Sequence, residues 1–302
     1  MDDFLWSHLR DLPAFRALLR AVEARFYQDL LPLDEPVLDV GCGDGHFASV
    51  TFPQRLAAGV DPAPSVLGEA RERDAYHVLS QSLGDALPFP DGHFATVVSN
   101  SVLEHIPAVD PVLAEISRVL QDQGRFIFCV PGDHFAELLL FTQFFRKLGL
   151  EGAAGAYERY FNHISRHHHC DGPEVWQARL ASVGLTCTDS FYYFSERALH
   201  ALDIGHYLGA PSLVSKKLFG RWILVPARWN LALTERWLRP LYEEPLPQVG
   251  AYLFVVAHKT PLVQQGTNPF VVCHSEPERS AGEESPPATA DRFPPACTRS
   301  SF

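Results

Sequence analysis

A glycine-rich loop at residues 39–45 is the part of the sequence whose residue types and spacing most clearly suit chemistry. It reads Asp-Val-Gly-Cys-Gly-Asp-Gly and follows a short apolar run that predicts a strand. Three glycines at alternate positions allow a sharp turn and a close approach of the backbone to a bound ligand. The loop therefore predicts a ligand site. The residues predicted to contact the ligand here are Asp39, Gly41, Cys42 and Gly43.

Two further acidic residues lie where they could hold a nucleoside. Asp61 ends the second predicted strand, and Asp85 lies in a turn before the fourth one. A carboxylate at the first position can accept hydrogen bonds from both ribose hydroxyls, and Asp85 can meet the amino group of an adenine. Taken singly, each aspartate could equally belong to an ordinary surface turn. Both aspartates stand at the positions along the chain expected of nucleoside contacts relative to the glycine loop. Together they therefore favour a nucleoside-binding site over two ordinary surface turns.

These motifs resemble class I S-adenosylmethionine-dependent methyltransferases, specifically the type 11 group that includes quinone and sterol methyltransferases. The resemblance rests on VLDVGCGDGHF (37–47), VDPAPSVLGEAR (60–71), GDALPFPDGHFATVVSNSVLEHI (84–106) and LAEISRVLQDQGRFIFCVP (113–131). It implies S-adenosylmethionine as the cofactor. It also implies that Asp39, Gly41 and Gly43 hold the methionine part, Asp61 the ribose and Asp85 the adenine. The full set of predicted cofactor-binding residues is Asp39, Gly41, Cys42, Gly43, Asp61, Asp85, Ala86 and Asn100.

The alternatives for the glycine loop are a nicotinamide-binding turn and a purely structural tight turn. A dinucleotide fingerprint spaces its glycines as GxGxxG and places a pyrophosphate on a helix N-terminus. Here the spacing is GxGxG after Asp39. A carboxylate at that point would repel a pyrophosphate but suits the cationic end of a methionine moiety. An oxidoreductase is therefore disfavoured.

A catalytic base is needed only if the methyl acceptor must lose a proton, because transfer from a sulfonium is an in-line displacement that mainly requires alignment and exclusion of water. Candidates follow the fourth predicted strand at Ser99, Asn100, Glu104 and His105. Of these, His105 in the segment VLEHI is the predicted catalytic residue. A structural role near the cofactor is its alternative.

A cluster of His163, His167–His169 and Cys170 allows three interpretations: a zinc site, a loop that lines the acceptor pocket, or a plain surface loop. Consecutive histidines cannot all point at one ion from regular structure, and no carboxylate stands at ligand spacing beside them. No metal is therefore predicted. The residues predicted to line the substrate pocket are Tyr157, Tyr160 and His163.

The order of the elements predicts an α/β fold, a Rossmann-like seven-stranded and mostly parallel sheet with helices on both faces and helical insertions. The predicted strands cover 36–40, 55–60, 75–79, 93–100, 124–131, 185–194 and 248–259, and the last two form an antiparallel pair. Residues 1–31 are predicted to be an N-terminal helical cap, broken at Pro13. Residues 32–262 form the methyltransferase domain, with helical insertions at about 132–172 and 196–247 and a Gly-, Tyr- and His-rich loop at 151–172. Residues 263–302 are predicted to be a disordered low-complexity tail.

Composition restricts the partners and the compartment. The chain has 302 residues with 25 Lys and Arg against 36 Asp and Glu, a net charge of −11, which argues against sequence-independent nucleic-acid binding. No Asn/Asp-Pro-Pro-aromatic motif follows the fourth predicted strand, so base-flipping methylation is not expected. Six cysteines without a CxxC pair predict a reduced, cytoplasmic protein. Neither a secretory signal nor an apolar run long enough to span a membrane is present.

Residues 212–239 contrast with this acidic chain, because they hold six basic residues, one acidic residue and three of the five tryptophans. Tryptophan and basic side chains together suit the boundary between lipid headgroups and acyl chains. Peripheral membrane contact is one prediction, and an ordinary helical cap on the sheet is the other. The sequence as a whole predicts a methyltransferase for a small-molecule or lipid-like acceptor. The alternative is a non-catalytic cofactor-binding protein whose helical insert is an interaction surface.

Overall fold

A seven-stranded sheet occupies the centre of the computed structural model, which describes residues 3–260. The predicted tail at 263–302 lies outside the described residues. The strands are β1 (Val37–Val40), β2 (Leu56–Asp61), β3 (Tyr76–Gln81), β4 (Phe94–Asn100), β5 (Leu120–Pro131), β6 (Leu185–Tyr193) and β7 (Tyr252–Lys259). Their order is β3-β2-β1-β4-β5-β7-β6. Strand β7 runs antiparallel to both of its neighbours, and the other pairs are parallel.

The sheet confirms the predicted Rossmann-like architecture, including the antiparallel pair of the last two strands. Each predicted strand is found within a few residues of its expected bounds. The largest differences are at the starts of two strands: β7 begins four residues later than predicted and β5 four residues earlier. Strand β5 begins at Leu120 because the preceding helix ends at Val119 and the chain passes straight into the sheet. A register shift against β4 between Phe94 and Thr96 accommodates this early start.

Helices lie on both sides of the sheet in the part of the chain that the structure describes. They are α1 (Phe4–Leu9), α2 (Ala14–Gln28), α3 (His46–Thr51), α4 (Pro64–Arg73), α5 (Val109–Val119), α6 (Leu140–Lys147), α7 (Glu151–Ser165), α8 (Pro173–Ser182), α9 (Glu196–Leu208), α10 (Ala210–Phe219) and α11 (Arg228–Tyr242). A single 3-10 turn covers Leu103–His105. As predicted, the first helical stretch is broken at Pro13, which precedes α2.

Strand β5 shows how the two faces are covered. Phe126 and Phe128 pack on one face with Ile116 of α5 and Trp176 of α8. Ile127, with the opposite orientation, packs into the core that contains α1 and α2. Since successive side chains of a strand point to opposite faces, a continuous apolar run is what a sheet covered on both sides requires. The N-terminal helices thus share a core with the sheet.

The predicted loop at 151–172 is wrong over its first part, because residues Glu151–Ser165 form α7. Alanines and an acidic first turn favour this helix, and Tyr157 and Phe161 lie four residues apart on the side that packs inward. The helix ends at Arg166, which adopts a left-handed conformation with φ +57°. The glycines and polar residues that suggested a loop occupy the outer side of this helix.

The long connection between β6 and β7 forms three helices, α9, α10 and α11, and Pro226 lies between the last two. The guanidinium of Arg239 on α11 donates to both carboxylate oxygens of Asp3, at 2.8 and 2.9 Å. Helix α11 is therefore joined to the residue that precedes α1. No helix within residues 3–260 combines the length and the apolar character needed to cross a membrane.

Candidate functional site

The glycine loop after β1 has a backbone that only glycine adopts easily. Gly41, Gly43 and Gly45 all have positive φ angles, of +81°, +54° and +72°. A Cβ atom on Gly41 would lie 2.4 Å from Cγ1 of Val102, a distance that no real Cβ contact tolerates. The loop therefore packs directly against the chain that leaves β4. Gly45 caps α3, so the loop also fixes where that helix starts.

Asp39, the last acidic residue before the loop, is buried and accepts a 2.6 Å hydrogen bond from the hydroxyl of Tyr76. Burial raises the pKa of Asp39 to about 6, although the bond from Tyr76 acts in the opposite direction. A cationic ligand group beside this carboxylate would favour its charged form. The site thus has the electrostatic character expected for binding an ammonium group.

Asp61, at the end of β2, holds the glycine loop in place. One carboxylate oxygen accepts from the backbone N–H of Gly43 at 3.1 Å, and the other accepts from the N–H of Ala63 at 2.9 Å. Because β1 and β2 are parallel neighbours, their carboxyl ends bring Asp39 and Asp61 to the same edge of the sheet. A ribose role for Asp61 stays a prediction.

A cleft of about 370 Å³ opens at this edge of the sheet. The predicted site residues that line it are Asp39, Gly41, Cys42, Gly43, Asn100 and His105. Its size lies within the range of small-molecule sites, about 300–1,000 Å³. The structure therefore brings most of the residues predicted around the methionine part into one concave surface.

Charged and aromatic side chains outside the set of predicted site residues also line the cleft. Arg16 and Arg20 enter from α2, and Lys216 and Trp222 come from the β6–β7 connection. Arg20 pairs with Glu23 and Lys216 pairs with Glu69, each at 2.8 Å. Arg16 lies 5.8 Å from the Trp222 ring and forms no ion pair within residues 3–260. For Arg16 and Arg20, the one signal in the sequence was their positive charge at helical spacing, four residues apart on an otherwise apolar helix.

Asn100 is positioned by a buried network. Its Nδ2 donates to Glu23 at 2.6 Å, and the same carboxylate accepts from the hydroxyls of Ser101 at 3.1 Å and Tyr193 at 2.8 Å. Glu23 is fully buried. Buried polar groups are stable when they are hydrogen-bonded in this way, so the network fixes the cleft wall at the end of β4.

His105 lies at the cleft beside a second buried carboxyl group, that of Glu104. Its Nδ1 is 3.2 Å from the carbonyl oxygen of Arg166, and its Nε2 is 3.6 Å from Oε1 of Glu104. Burial lowers the pKa of His105 and raises that of Glu104 to about 8. A neutral imidazole at the cleft is in the form that can accept a proton. A catalytic role for His105 stays a prediction.

Other predicted residues do not line this cleft. Asp85 and Ala86 are exposed in the loop before β4, so their adenine contact stays a prediction. Tyr157 lies on α7, where its hydroxyl donates to the carboxylate of Asp203. The same hydroxyl is 2.8 Å from the hydroxyl of Tyr207. The other two residues predicted for the substrate pocket, Tyr160 and His163, are exposed on the same helix. Tyr157 and Tyr160 belong to a separate aromatic cluster around α6, α7 and α9, whereas His163 only lies on the same helix.

Comparisons with known proteins point to one family over the part of the chain that forms this site. Residues 38–128 match the family model described as a methyltransferase domain. A malonyl-[acyl-carrier protein] O-methyltransferase from Geobacter sulfurreducens is 33% identical over 132 residues, which cover 41% of this chain and 49% of that protein. A fatty-acid O-methyltransferase from Mycolicibacterium smegmatis is 36% identical over 97 residues, 30% of this chain and 35% of that protein.

The fold is also that of a known structure. A Galdieria sulphuraria protein assigned as a sarcosine dimethylglycine methyltransferase superposes with a TM-score of 0.51 at 14% identity, covering 79% of this chain and 83% of that one. At this identity the similarity concerns the fold alone. The chain spans about half or less of the length of the curated relatives that it matches.

Proposed function

We propose that residues 38–128 form a class I S-adenosylmethionine-dependent methyltransferase domain of the type 11 group, and that the chain transfers a methyl group to a small-molecule or lipid-like acceptor. The observation that carries the proposal is the cleft at the carboxyl ends of β1 and β4, where the glycine loop and Asp39 converge. The relatives named for methylation of malonyl-[acyl-carrier protein] and of fatty acids support an acceptor of this kind.

The cleft fits the cofactor of the family. Gly41 and Gly43 line the cleft without a side chain, and a Cβ on Gly43 would meet no other atom within 4 Å, so the loop backbone is accessible to a ligand. Asp39 supplies a carboxylate for a cationic amino group, and Arg16 supplies a positive charge that no described residue pairs. Asp61 and the loop N–H groups border the same edge. When bound, S-adenosylmethionine supplies an electrophilic methyl group on a sulfonium.

The protein's contribution to such a reaction is alignment. The buried network of Glu23 holds Asn100 and therefore the wall against which a ligand would rest. Trp222 and Phe47 offer apolar surface that keeps water from the reacting atoms. His105, with its lowered pKa, can accept a proton if the acceptor is a hydroxyl, a thiol or an amine. An acceptor that is already a nucleophilic anion would not need it.

An amphiphilic acceptor is favoured by the surface beside the cleft. Lys216 and Trp222 belong to both the cleft and the segment 212–239. In the same segment, Leu218, Trp229 and Leu233 are 67%, 78% and 84% exposed. Large exposed apolar side chains of this kind mark candidate contacts with membranes or ligands. We propose that residues 212–239 make peripheral contact with a membrane or with a lipid substrate, and that a lipid acceptor reaches the cleft from there.

Incubation of the purified chain with S-adenosylmethionine labelled in its methyl group and a lipid extract tests the proposal. Label should pass into the organic phase, and S-adenosylhomocysteine should accumulate with it. An Asp39→Asn variant, which removes the charge of the cleft carboxylate and keeps the size of its side chain, is the matched protein and should transfer less label. Binding of S-adenosylhomocysteine without any transfer, to either lipids or water-soluble metabolites, would favour the non-catalytic alternative in which the helical insert is an interaction surface.

A further inference from the structure

Glu104, His105 and His167 bring three potential metal-ligand atoms together at the edge of the cleft, all within 4.8 Å of one another. The first two residues belong to the 3-10 turn after β4, and His167 follows α7. The imidazole rings of His105 and His167 stack with their centroids 5.7 Å apart. One carboxylate and two imidazoles form a donor set that suits zinc or another divalent first-row metal.

The carboxyl group of Glu104 is the second observation that points to a ligand. The residue is 2% exposed, and its Oε2 atom has no hydrogen-bond partner among the described residues. Buried polar oxygens are nearly always hydrogen-bonded or bound to an ion.

His105 is oriented as metal-bound histidines usually are. A carbonyl oxygen can only accept, so the 3.2 Å contact between Nδ1 of His105 and the oxygen of Arg166 places the proton on Nδ1. Nε2 of His105 then carries no proton, so its lone pair is available to a metal ion, and it faces Glu104. Metal-bound histidines commonly use one nitrogen for the ion and fix the ring by such a bond from the other.

The chain that carries His167 is fastened to the turn that carries Glu104. The backbone N–H of His168 donates to the carbonyl oxygen of Glu104 at 2.7 Å, and Nε2 of His169 lies 3.0 Å from the carbonyl oxygen of Ile106. These bonds hold the two segments together independently of any ion. His169 is thereby engaged elsewhere, and His163 and His168 are exposed, so His167 is the member of the histidine cluster that joins the site.

We propose that Glu104, His105 and His167 form a binding site for a divalent metal ion such as zinc. Three protein ligands leave a coordination position for another molecule, as in catalytic rather than structural zinc sites. Because His105 also lines the cleft, that position is accessible to an oxygen or sulfur atom of an acceptor. With Nε2 bound to the ion, His105 would not itself take the acceptor's proton, and the ion would instead make that proton easier to remove. This last consequence rests on the proposed function, whereas metal binding itself does not.

Titration of the untagged full chain with zinc chloride, after chelator treatment and without cofactor, tests the site. We expect one equivalent of Zn²⁺ to bind, and cobalt in its place to give visible absorption. His167→Ala should weaken zinc binding about a hundredfold or more, since loss of a ligand's hydrogen-bond partner alone costs about 10- to 100-fold. His163→Ala removes an exposed histidine four residues earlier and is the matched control, expected to bind like the wild type.

Equal zinc affinity of His167→Ala and His163→Ala, or no stoichiometric binding by the wild type, would overturn the site. Glu104→Gln gives an independent arm, because it keeps the size of the side chain and removes its charge; we expect it to lose zinc binding as well. Circular dichroism establishes that each variant is folded. Because no cofactor is present, the outcome is separate from that of the methyl-transfer assay.

Discussion

Asn100, at the end of β4, donates a 2.6 Å hydrogen bond to the buried carboxylate of Glu23 on α2. Arg20 and Tyr193 bond to the same carboxylate at 2.8 Å each. An N-terminal helix, a central strand and an outer strand of the sheet therefore meet at one charged group. Since Arg20 and Asn100 also line the cleft, the N-terminal helix is part of the site wall.

Replacing Glu23 tests this connection. Glu23→Ala leaves the guanidinium of Arg20 without its partner and three further donors unsatisfied, so we expect a loss of about 3–5 kcal/mol in the free energy of unfolding. Urea unfolding followed by tryptophan fluorescence measures it. Glu72→Ala, an exposed glutamate, should change the stability by less than about 0.5 kcal/mol. Similar values for the two variants would contradict the role of the network.

Gly41→Ala should reduce both stability and cofactor binding. The new Cβ would overlap Val102, and the positive φ of the position costs a non-glycine residue about 1–3 kcal/mol. Gly68→Ala is the control, because Gly68 is exposed in the middle of α4 and a Cβ there meets no other atom; it should be neutral or stabilise by about 0.5–1 kcal/mol. Thermal unfolding with and without S-adenosylhomocysteine distinguishes the two variants. A wild-type response of Gly41→Ala would refute the geometry of the loop.

Asp61→Ala should lower the affinity for S-adenosylhomocysteine. Loss of a charged acceptor costs about 1.5–3 kcal/mol, or roughly 10- to 150-fold in the dissociation constant, and the N–H groups of Gly43 and Ala63 lose their partner too. Isothermal titration calorimetry gives the affinity. Asp122→Ala alters an exposed aspartate of β5 and should bind like the wild type. Equal affinities of all three proteins would exclude Asp61 from the cofactor site.

Stability should depend on pH through Glu104. Its pKa is about 8 in the folded state and near the ordinary 4.5 in the unfolded chain, so between these values the folded protein holds a proton that the unfolded chain releases. The stability contributed by this group is present below pH about 4.5 and lost as the pH rises towards 8. In chelator-treated samples, Glu104→Gln should therefore lose less stability than the wild type between pH 5 and 9. If the free energy of unfolding changed with pH in the same way for the wild type, Glu104→Gln and an exposed Glu72→Gln, Glu104 would be charged over the whole range from pH 5 to 9, contrary to the prediction.

The segment 212–239 should bind anionic vesicles more tightly than neutral ones, and salt should reduce the difference. Lys216 is bonded to Glu69, whereas Lys217 and Arg221 are exposed and form no ion pair within residues 3–260. Replacing these two by glutamine should cost about 1 kcal/mol for each charge in co-sedimentation. Arg71→Gln with Lys147→Gln removes the same charge elsewhere and should bind as the wild type does. Equal sedimentation with both vesicle types would leave the segment as an ordinary cap.

The parts of the fold that were predictable from the sequence depend on local chemistry. The glycine loop can be predicted because the backbone at Gly41 tolerates few residues other than glycine. The strands can be predicted because a sheet covered on both faces needs continuous apolar runs. Asp39 and Asp61 follow from their positions at strand ends. None of this requires knowledge of distant residues.

The parts that could not be predicted depend on contacts between distant segments. In the sequence, Glu23 is one charged residue of an amphipathic helix. Only the structure shows that it accepts a hydrogen bond from Tyr193, which is distant along the chain. His167 is one of several neighbouring histidines, and only the docking of its loop on Glu104 distinguishes it. Tyr157 was expected at the acceptor pocket, yet its hydroxyl bonds with Asp203, a residue of another helix.

The link between Asp3 and Arg239 has a consequence for how the protein is made. Helix α1 is synthesised well before α11, which holds its start through Arg239. The apolar side chains of Phe4, Leu5 and Leu9 therefore stay without part of their final packing for most of translation. Such late, long-range closure slows folding and prolongs the exposure of apolar surface. We expect the nascent chain to depend on chaperones more than its finished core would suggest.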